Sequence, residues 1–276
     1  MLLSVLCLAI LAQGGWASTG NAFSHQSPHI IGGEIVQERE FPGLGSLTLM
    51  GTHYCAVCIL NSEWAFTTAA SMTFPKDAYK VVVGTNHLDN GGTVHELSEM
   101  ILHEDYNISD SWINNIALLK VNGTETKFHR VRPTESLLNP PIQFGEGLAP
   151  VSLPQNGQTY PVGTSGLMAG WGQIEFLGPV VNDLRKIAMT VSDHKKCEEA
   201  YAPIGKHVYS NQICAESGVD RHGPLFGDGA DPMFVDGTVI GIASWERGAN
   251  ALGYPVVMTK ISDYIDWINE HMSSYD

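Results

Sequence analysis

The segment that most suggests chemistry is the turn Gly227-Asp228-Gly229-Ala230-Asp231, which lies within the stretch PLFGDGADPMF at 224–234. A short Gly-Asp-Gly turn near a chain end can form a catalytic loop, a cation site or only a bend. The turn lacks the spaced Asp/Asn ligands and the distal Glu of a calcium-binding loop. If it is a catalytic loop, the nucleophile remains to be found.

The cysteines are the next residues whose side chains could take part in chemistry. Apart from Cys7 near the N-terminus, the chain contains Cys55, Cys58, Cys197 and Cys214. An even number in a secreted chain predicts disulfides, with three possible connectivities. Cys55 and Cys58 have Cys-x-x-Cys spacing, but no βαβ pattern surrounds them, so a redox motif is disfavoured. Residues three apart on a strand point to opposite faces, so a Cys55–Cys58 bridge would need a bulge or turn. We therefore expect both as free buried thiols, and an intermolecular disulfide is the alternative.

The N-terminal residues predict secretion. An apolar run from Leu2 to Leu11 is followed by small residues, which is the pattern of a signal peptide over 1–17. The alternative is a buried N-terminal strand or helix. The run is too short to span a bilayer and no later segment qualifies, so we expect an extracellular protein without a membrane partner. Two sequons predict N-glycosylation at Asn107 and Asn122.

The charge balance restricts the partners. The formal net charge is −14, from 29 acidic and 15 basic residues. Such an excess of acids disfavours binding to a phosphate backbone and favours solubility or a basic partner. Nucleic acid is therefore excluded as an expected partner.

The elements that position these residues are predicted to be mostly strands. The candidate segments are rich in Val, Ile and Thr and are bounded by Gly, Pro, Asn or Asp. They are GSLTLMG, YKVVVGTN, NIALLKV, GLMAGWG, TVIGIASW and YPVVMTKI. Only the end, with apolar residues at spacings of three and four, predicts a helix, at 262–272. A turn-rich stretch from Leu137 to Pro150 divides the chain, which indicates two β units in one body.

Eight segments, in order from Ile30 to Met272, resemble landmarks of the trypsin/chymotrypsin-like serine protease family. They are IIGGEIV, HYCAVCILNSEWAFTTAAS, NNIALLKV, GLMAGWG, QICAES, FGDGADP, IASWERG and YPVVMTKISDYIDWI. The resemblance implies an all-β fold over 30–276, with two six-stranded antiparallel Greek-key barrels packed around a cleft and a C-terminal α-helix. We place the barrels at roughly 30–148 and 149–260, preceded by a short pro-segment at 18–29.

The resemblance also assigns the catalytic positions. Acyl transfer in this family needs a serine nucleophile, a histidine that takes and returns its proton, and a buried aspartate that orients the histidine. This sequence has Gly229, Ser71 and Asn115 at the respective positions. Near neutral pH a hydroxyl cannot serve as a general base and an amide carries no charge to stabilise an imidazolium. Gly227 and Gly229 retain backbone donors for an oxyanion, which a carboxylate at Asp231 would repel.

The substrate pocket departs from the family as well. Glu246 and Val256 occupy positions where active relatives have glycines, and Gly223 lies at the pocket floor. Larger side chains at glycine positions are expected to narrow the pocket, and no charged floor residue selects a basic substrate. Ordinary loop drift is the alternative interpretation.

The resemblance further implies a disulfide and an activation pair. Cys197 and Cys214 match one of the family's bridges, whereas the partner position of Cys55 holds Met72. In active relatives the new N-terminal ammonium, here Ile30, pairs with the aspartate matching Asp228. The residue before Ile30 is His29, where activating proteases usually require Arg or Lys, so cleavage of that bond is doubtful. Two further bridges are lost as whole pairs: Leu225 with Ala249, and Gly166 with Val235.

These observations lead to a functional prediction. We expect a secreted homologue of serine proteases that is not an enzyme and acts through protein binding, as a cofactor, decoy or regulator of extracellular proteolysis. Its partner would be an extracellular protein, such as an active serine protease or its substrate, and no cofactor or metal is expected. The alternative is a serine-type endopeptidase with a rearranged or residual active site that uses Ser71 or a displaced residue. A calcium-binding role for the turn at Asp231 is a third, weaker alternative.

Overall fold

The computed structural model describes residues 33–122, 141–172, 180–218, 229–247 and 254–274. This part of the chain forms strands and two α-helices in the following order. The elements are β1 (Glu34–Ile35), β2 (Leu44–Leu49), β3 (Thr52–Ile59), β4 (Trp64–Thr67), β5 (Tyr79–Val83), β6 (Thr93–Leu102), β7 (Ala117–Asn122), β8 (Ser165–Gly170), β9 (Arg185–Val191), α1 (His194–Tyr201), β10 (Gln212–Glu216), β11 (Pro232–Val235), β12 (Thr238–Trp245), β13 (Val256–Lys260) and α2 (Ile265–Ser273).

The first barrel closes from six antiparallel strands in the order β2-β3-β4-β7-β6-β5. In the meander β5-β6-β7, the last strand returns beside β4, which is Greek-key connectivity. Side chains alternate along each strand, so every second residue enters the barrel. Leu47, Val57, Val81 and Leu119 fill the interior and are fully buried.

The second barrel closes in the order β8-β9-β10-β13-β12-β11, because β8 also pairs with β9. Met168, Met189, Ile240 and Met258 fill its interior and are fully buried. The expected two-barrel, chymotrypsin-like fold is confirmed. One detail differs from the expected division of the chain: β1 lies in the N-terminal half but pairs with β9, outside the closed ring of the second barrel.

The two helices differ from the prediction in different ways. The prediction missed α1, which Asp193 caps by accepting a hydrogen bond from the Lys196 N–H at 2.9 Å. Its buried residues are only Cys197 and Tyr201, too few to produce a clear apolar period. The C-terminal helix α2 is present, but it begins at Ile265, after a 3₁₀ turn at Ile261–Asp263. No helix in these described ranges is long and apolar enough to cross a membrane.

The cysteines are arranged as expected. Cys197 on α1 forms a disulfide with Cys214 on β10. Cys55 and Cys58 are free and buried, and they face two different apolar clusters. The opposite orientation follows from their spacing along β3. Burial raises the pKa of both thiols, and the nearby charge of Asp231 raises that of Cys58 further, so both remain protonated near neutral pH.

Candidate active site

Ser71 follows β4 in the chain and is the last residue of a 3₁₀ turn formed by Ala69–Ser71. The turn is held at its end by Tyr79, whose hydroxyl donates to the Ser71 carbonyl at 2.8 Å. The Ser71 hydroxyl is 2.8 Å from the Thr68 hydroxyl, and the side chain is 9% exposed. Ser71 is therefore fixed at the edge of the first barrel with its hydroxyl already engaged by a neighbour.

Asn115 lies two residues before β7 and is buried. Its Oδ1 accepts from the Ala70 N–H at 2.8 Å, and its Nδ2 donates to the Ser244 hydroxyl at 2.8 Å. Because the Ala70 N–H can only donate, the Asn115 oxygen must face it, and this sets the orientation of the amide. The side chain thus links the turn that carries Ser71 to strand β12 in the second barrel.

Gly229 lies exposed before β11, and its carbonyl accepts from the Ala56 N–H at 3.0 Å. A β-carbon placed on Gly229 would lie 3.6 Å from the Cys55 Cβ and 3.9 Å from the Ser71 Oγ. These are ordinary van der Waals distances, so the described residues leave room for a β-carbon there. The structure therefore brings Ser71, Asn115 and Gly229, which are widely separated in sequence, to one place between the barrels.

Cys55 belongs to this place, although the sequence suggested only an unpaired bridge position for it. Its sulfur is 3.5 Å from the Thr67 hydroxyl, and it also forms a hydrogen bond with Ser71. Burial raises the pKa of the thiol more than these hydrogen bonds lower it. The groups that contact the Ser71 side chain thus include the Thr68 hydroxyl and a neutral thiol. A protonated, buried thiol is a poor nucleophile, so Cys55 contributes packing and a weak hydrogen bond.

Asp231 does not lie where the sequence suggested. Its side chain is completely buried, and it is packed so closely against Gly170 that a β-carbon there would lie 1.6 Å from Oδ2. Its charge also acts on Cys58, in the cluster between the barrels. The carboxylate therefore points into the seam of the molecule. The expectation that it repels an oxyanion in the cleft is wrong, because the absence of a side chain at Gly170 provides a place for it inside.

Two of the residues predicted to line the substrate pocket are described by the structure, and they differ in how deeply they are buried. Val256, at the start of β13, is buried, and Glu246, directly after β12, is half-buried. Glu246 is close enough to contribute, after burial, to a raised pKa of Tyr201. The remaining predicted site residues lie outside the described residues. They are Ile30, Gly223, Gly227 and Asp228, together with the pro-segment and the signal peptide.

A stack of aromatic side chains beside the cleft was not predicted. The rings of Trp112 and Trp245 are stacked with centroids 5.7 Å apart, and Tyr201 meets Trp245 edge-on at 4.6 Å. The ammonium of Lys206 lies 4.3 Å above the ring of Trp112. The sequence contains no local signal for this cluster, because its members come from three separate segments, at residues 112, 201–206 and 245. Ser111 and Trp112 have positive φ values of 52° and 51°, which non-glycine residues rarely adopt.

The first glycosylation candidate lies in an exposed turn. The Asn107 side-chain oxygen accepts from the Ser109 N–H at 3.0 Å, and the residue is exposed. Asn122 is the last residue of β7. Within the ranges that the structure describes, no group of three or more His, Cys, Asp or Glu side chains is arranged to hold a metal ion.

Two closed barrels with these positions meeting between them define the class as chymotrypsin-like. The family model named Trypsin matches residues 30–268, and the chain belongs to this family. It is 26% identical to "Trypsin" of Phaedon cochleariae, with 98% of each chain covered. It is 25% identical to "Vitellin-degrading protease" of Bombyx mori, with 98% of this chain and 94% of that protein covered.

Two solved structures share the fold. A chain described as neuropsin, a serine protease expressed in the limbic system of mouse brain, has a TM-score of 0.74 and 23% identity, covering 87% of this chain and 98% of that chain. A chain described as human heparin binding protein has a TM-score of 0.72 and 22% identity, covering 87% and 95%.

The comparisons correct one prediction. From the side chains at Ser71, Asn115 and Gly229 we predicted that the chain is not an enzyme. That prediction is wrong, because the relatives that match over nearly their whole length are named as trypsins and proteases. In the part of the chain that the structure describes, the side-chain groups beside Ser71 are the Thr68 hydroxyl and a neutral thiol.

Proposed function

We propose that this member of the trypsin family is an extracellular serine-type endopeptidase with a rearranged, residual active site. The position of Ser71 carries the proposal. Its hydroxyl oxygen lies 3.9 Å from the point where a β-carbon of residue 229 would be, at the place that the family uses for its nucleophile. The relatives named as proteases support the reaction class.

The chemistry available to Ser71 is limited by its partners. The Thr68 hydroxyl at 2.8 Å can accept a hydrogen bond from Ser71 but cannot hold a proton at neutral pH, so the proton must pass to water during attack. For enzymes of this class, binding and backbone donors alone retain roughly a thousand-fold acceleration over water. We expect slow cleavage of polypeptides at about this level.

The test is covalent labelling together with turnover. Recombinant protein that begins at Ile30 is treated with a serine-directed fluorophosphonate and assayed on a broad peptide library. We expect slow labelling and slow turnover, both abolished by Ser71→Ala and retained by Ser192→Ala, which removes a buried hydroxyl elsewhere. Labelling that persists in Ser71→Ala would show that another residue is the nucleophile. Wild-type protein that shows neither labelling nor turnover would overturn the proposal.

A second function is favoured by the absence of a side chain at Gly229 and by the buried Val256. An extracellular protein, such as an active serine protease or its substrate, would bind in the cleft, and this chain would act as a cofactor, decoy or regulator. The experiment measures binding of a panel of secreted proteases by calorimetry, and the change in their cleavage rates. Binding that survives Ser71→Ala and alters the partner's kinetics supports this function. Binding without any kinetic effect on the partner contradicts it.

A further inference from the structure

A groove lies beside the C-terminal end of β11, the end of the strand that is farther from Gly229 along the chain. Its volume is about 680 Å³, and it is lined by residues of both halves of the chain. Gly229 lies in the turn before β11, whereas Phe234 lies near the end of that strand. Ser71, Asn115 and Gly229 are not among the residues that line the groove. The groove is thus a second concave surface, separate from the cleft.

The floor and walls of the groove are apolar. Phe41 and Phe234 meet at its base with ring centroids 4.8 Å apart. Pro42, Val151 and Leu167 form its sides and are only partly buried. An unfilled apolar surface of this size can accommodate one aliphatic or aromatic side chain, and volumes of 300–1,000 Å³ are typical of ligand sites.

Two glycines fix the depth of the groove. A β-carbon on Gly166 would lie 2.4 Å from the Phe234 carbonyl oxygen, and one on Gly43 would lie 2.6 Å from the Val151 backbone nitrogen. Both contacts are with backbone atoms, which cannot move aside as a flexible side chain would. The backbones around the groove are therefore held at close approach, and its shape is set by the packing of the strands.

The rim carries excess negative charge. The Lys186 ammonium lies 2.5 Å from Glu40 Oε1 and 3.3 Å from Glu34 Oε1, so two carboxylates share one cation. Asp236 is exposed on the turn between β11 and β12 and lines the groove. Glu40 and Asp236 are the charged residues among those that line the groove, and both are acidic, in a chain whose net charge is −14. Glu34 and Lys186 lie beside Glu40.

We propose that this groove binds a cationic segment of another extracellular polypeptide, with an aliphatic or aromatic anchor flanked by Lys or Arg. The anchor fills the space above Phe41 and Phe234, and the flanking cations pair with Glu40 and Asp236. A second copy of this chain is disfavoured as the occupant, because each copy carries the same net charge of −14. Ser71 takes no part in this site, so the proposal stands independently of the proposed peptidase activity.

The test uses peptides of defined composition. A set of blocked, fluorescein-labelled peptides carries Leu-Phe at the centre and one Lys on each side, with one to three Gly-Ser spacers. Fluorescence anisotropy measures their binding to the full protein. We expect dissociation constants of tens of micromolar for the best spacing, at least tenfold weaker binding when both Lys are replaced by Glu, and weakening as ionic strength rises from 0.05 to 0.5 M.

Matched variants locate the binding. Ala188 is exposed in the groove, and Ala188→Arg places a cation where the peptide should bind, so we expect at least tenfold weaker binding. Ala202→Arg adds the same charge at an exposed position of the 3₁₀ turn after α1 and should have no effect. Asp236→Asn should weaken binding about two- to fivefold, and Glu38→Asn, on an exposed acid outside the groove lining, should not.

The results of these experiments distinguish a cationic partner from the other possible occupants of the groove. Equal binding of the Lys and Glu peptides, or no effect of Ala188→Arg in protein with native circular dichroism, overturns the proposal. So does tighter binding of a peptide covering this chain's own residues 18–32, or dimerisation that Ala188→Arg abolishes. If the variants fail to fold, the comparison of Lys and Glu peptides on wild-type protein still decides. Fluorophosphonate labelling should be the same in Ala188→Arg and wild type.

Discussion

Restoring the family's side chains at the three cleft positions should increase peptide-bond cleavage by orders of magnitude. The change is Ser71→His, Asn115→Asp and Gly229→Ser in one protein. Among the residues that the structure describes, the nearest atoms to a β-carbon at 229 lie 3.6 and 3.9 Å away, so this part of the site accepts a β-carbon there. Aspartate has the shape of asparagine, so it can keep the Ala70 N–H at 2.8 Å while the Ser244 hydroxyl turns to donate to it.

The magnitude follows from the coupling of the three groups. Loss of the whole constellation in enzymes of this type costs about 10⁶ in kcat, which corresponds to about 8 kcal/mol in the activation barrier. The effects are strongly non-additive, because each group acts through the others. Single and double variants should therefore gain no more than about tenfold over wild type, and those that carry Ser71→His without Gly229→Ser should lose the residual activity that depends on the Ser71 hydroxyl. The triple variant should gain at least about 10³. The gain should fall short of about 10⁶, because the side chains of Glu246 and Val256 are predicted from the sequence to narrow the substrate pocket.

The assay compares kcat/KM on a fluorogenic peptide library for proteins that begin at Ile30. The matched control carries Ser71→His, Asn115→Asp and Gly229→Ala, which supplies the same two partners and no hydroxyl at 229. Fluorophosphonate labelling should be fast in the triple variant and absent at position 229 in the control. A folded triple variant with no gain in turnover would show that the three positions do not meet as the structure places them. A full gain from Gly229→Ser alone would refute the coupling argument.

Three further results are expected for stability. Replacing Cys197 and Cys214 by Ala should lower the free energy of unfolding by about 3 kcal/mol in urea titrations, since the disulfide spans a sequence separation of 17; a loss below 1 kcal/mol would argue against this. Gly170→Ala should cost about 1–3 kcal/mol because its β-carbon meets Asp231 at 1.6 Å, and adding Asp231→Gly should recover that loss in thermal melts. Burial lowers the pKa of His103 in the folded protein, so the unfolded chain binds a proton at this imidazole more readily than the folded chain does. The contribution of neutral His103 to stability is therefore present above about pH 6.5 and is lost as the pH falls. His103→Gln should therefore reduce the drop in Tm between pH 7.5 and 5.0, and an unchanged drop would exclude this histidine.

The strands with a strong local pattern could be predicted from the sequence, whereas other elements could not. Segments such as YKVVVGTN and TVIGIASW appear as β5 and β12 because branched residues between turn formers favour extended chain. Helix α1 was missed, since only two of its residues are buried and its capping by Asp193 gives a weak signal in the sequence. The pairing of β1 with β9 has no local signal, because it joins segments about 150 residues apart.

For the residues of the cleft, too, some features could be predicted from the sequence and others could not. The order of the landmarks along the chain was enough to identify Ser71, Asn115 and Gly229 as corresponding positions, and the structure places them together. It was not enough to show that Cys55 contacts Ser71, because that contact depends on how β3 lies against the turn after β4. Nor did it show the direction of Asp231, which depends on the space left by Gly170 on another strand.

The amino-acid sequence alone determined the family-like order of motifs and the chemical types available at the three cleft positions. Through the resemblance it also predicted the pairing of Cys197 with Cys214, which the structure contains. These depend on residue identity and on position along the chain. Only the tertiary structure decided the stacking of Trp112 on Trp245, the burial of Asp231 and the groove above Phe41 and Phe234. Each of these arises where strands distant in sequence pack together, and close packing, which no local pattern encodes, sets which atoms meet there.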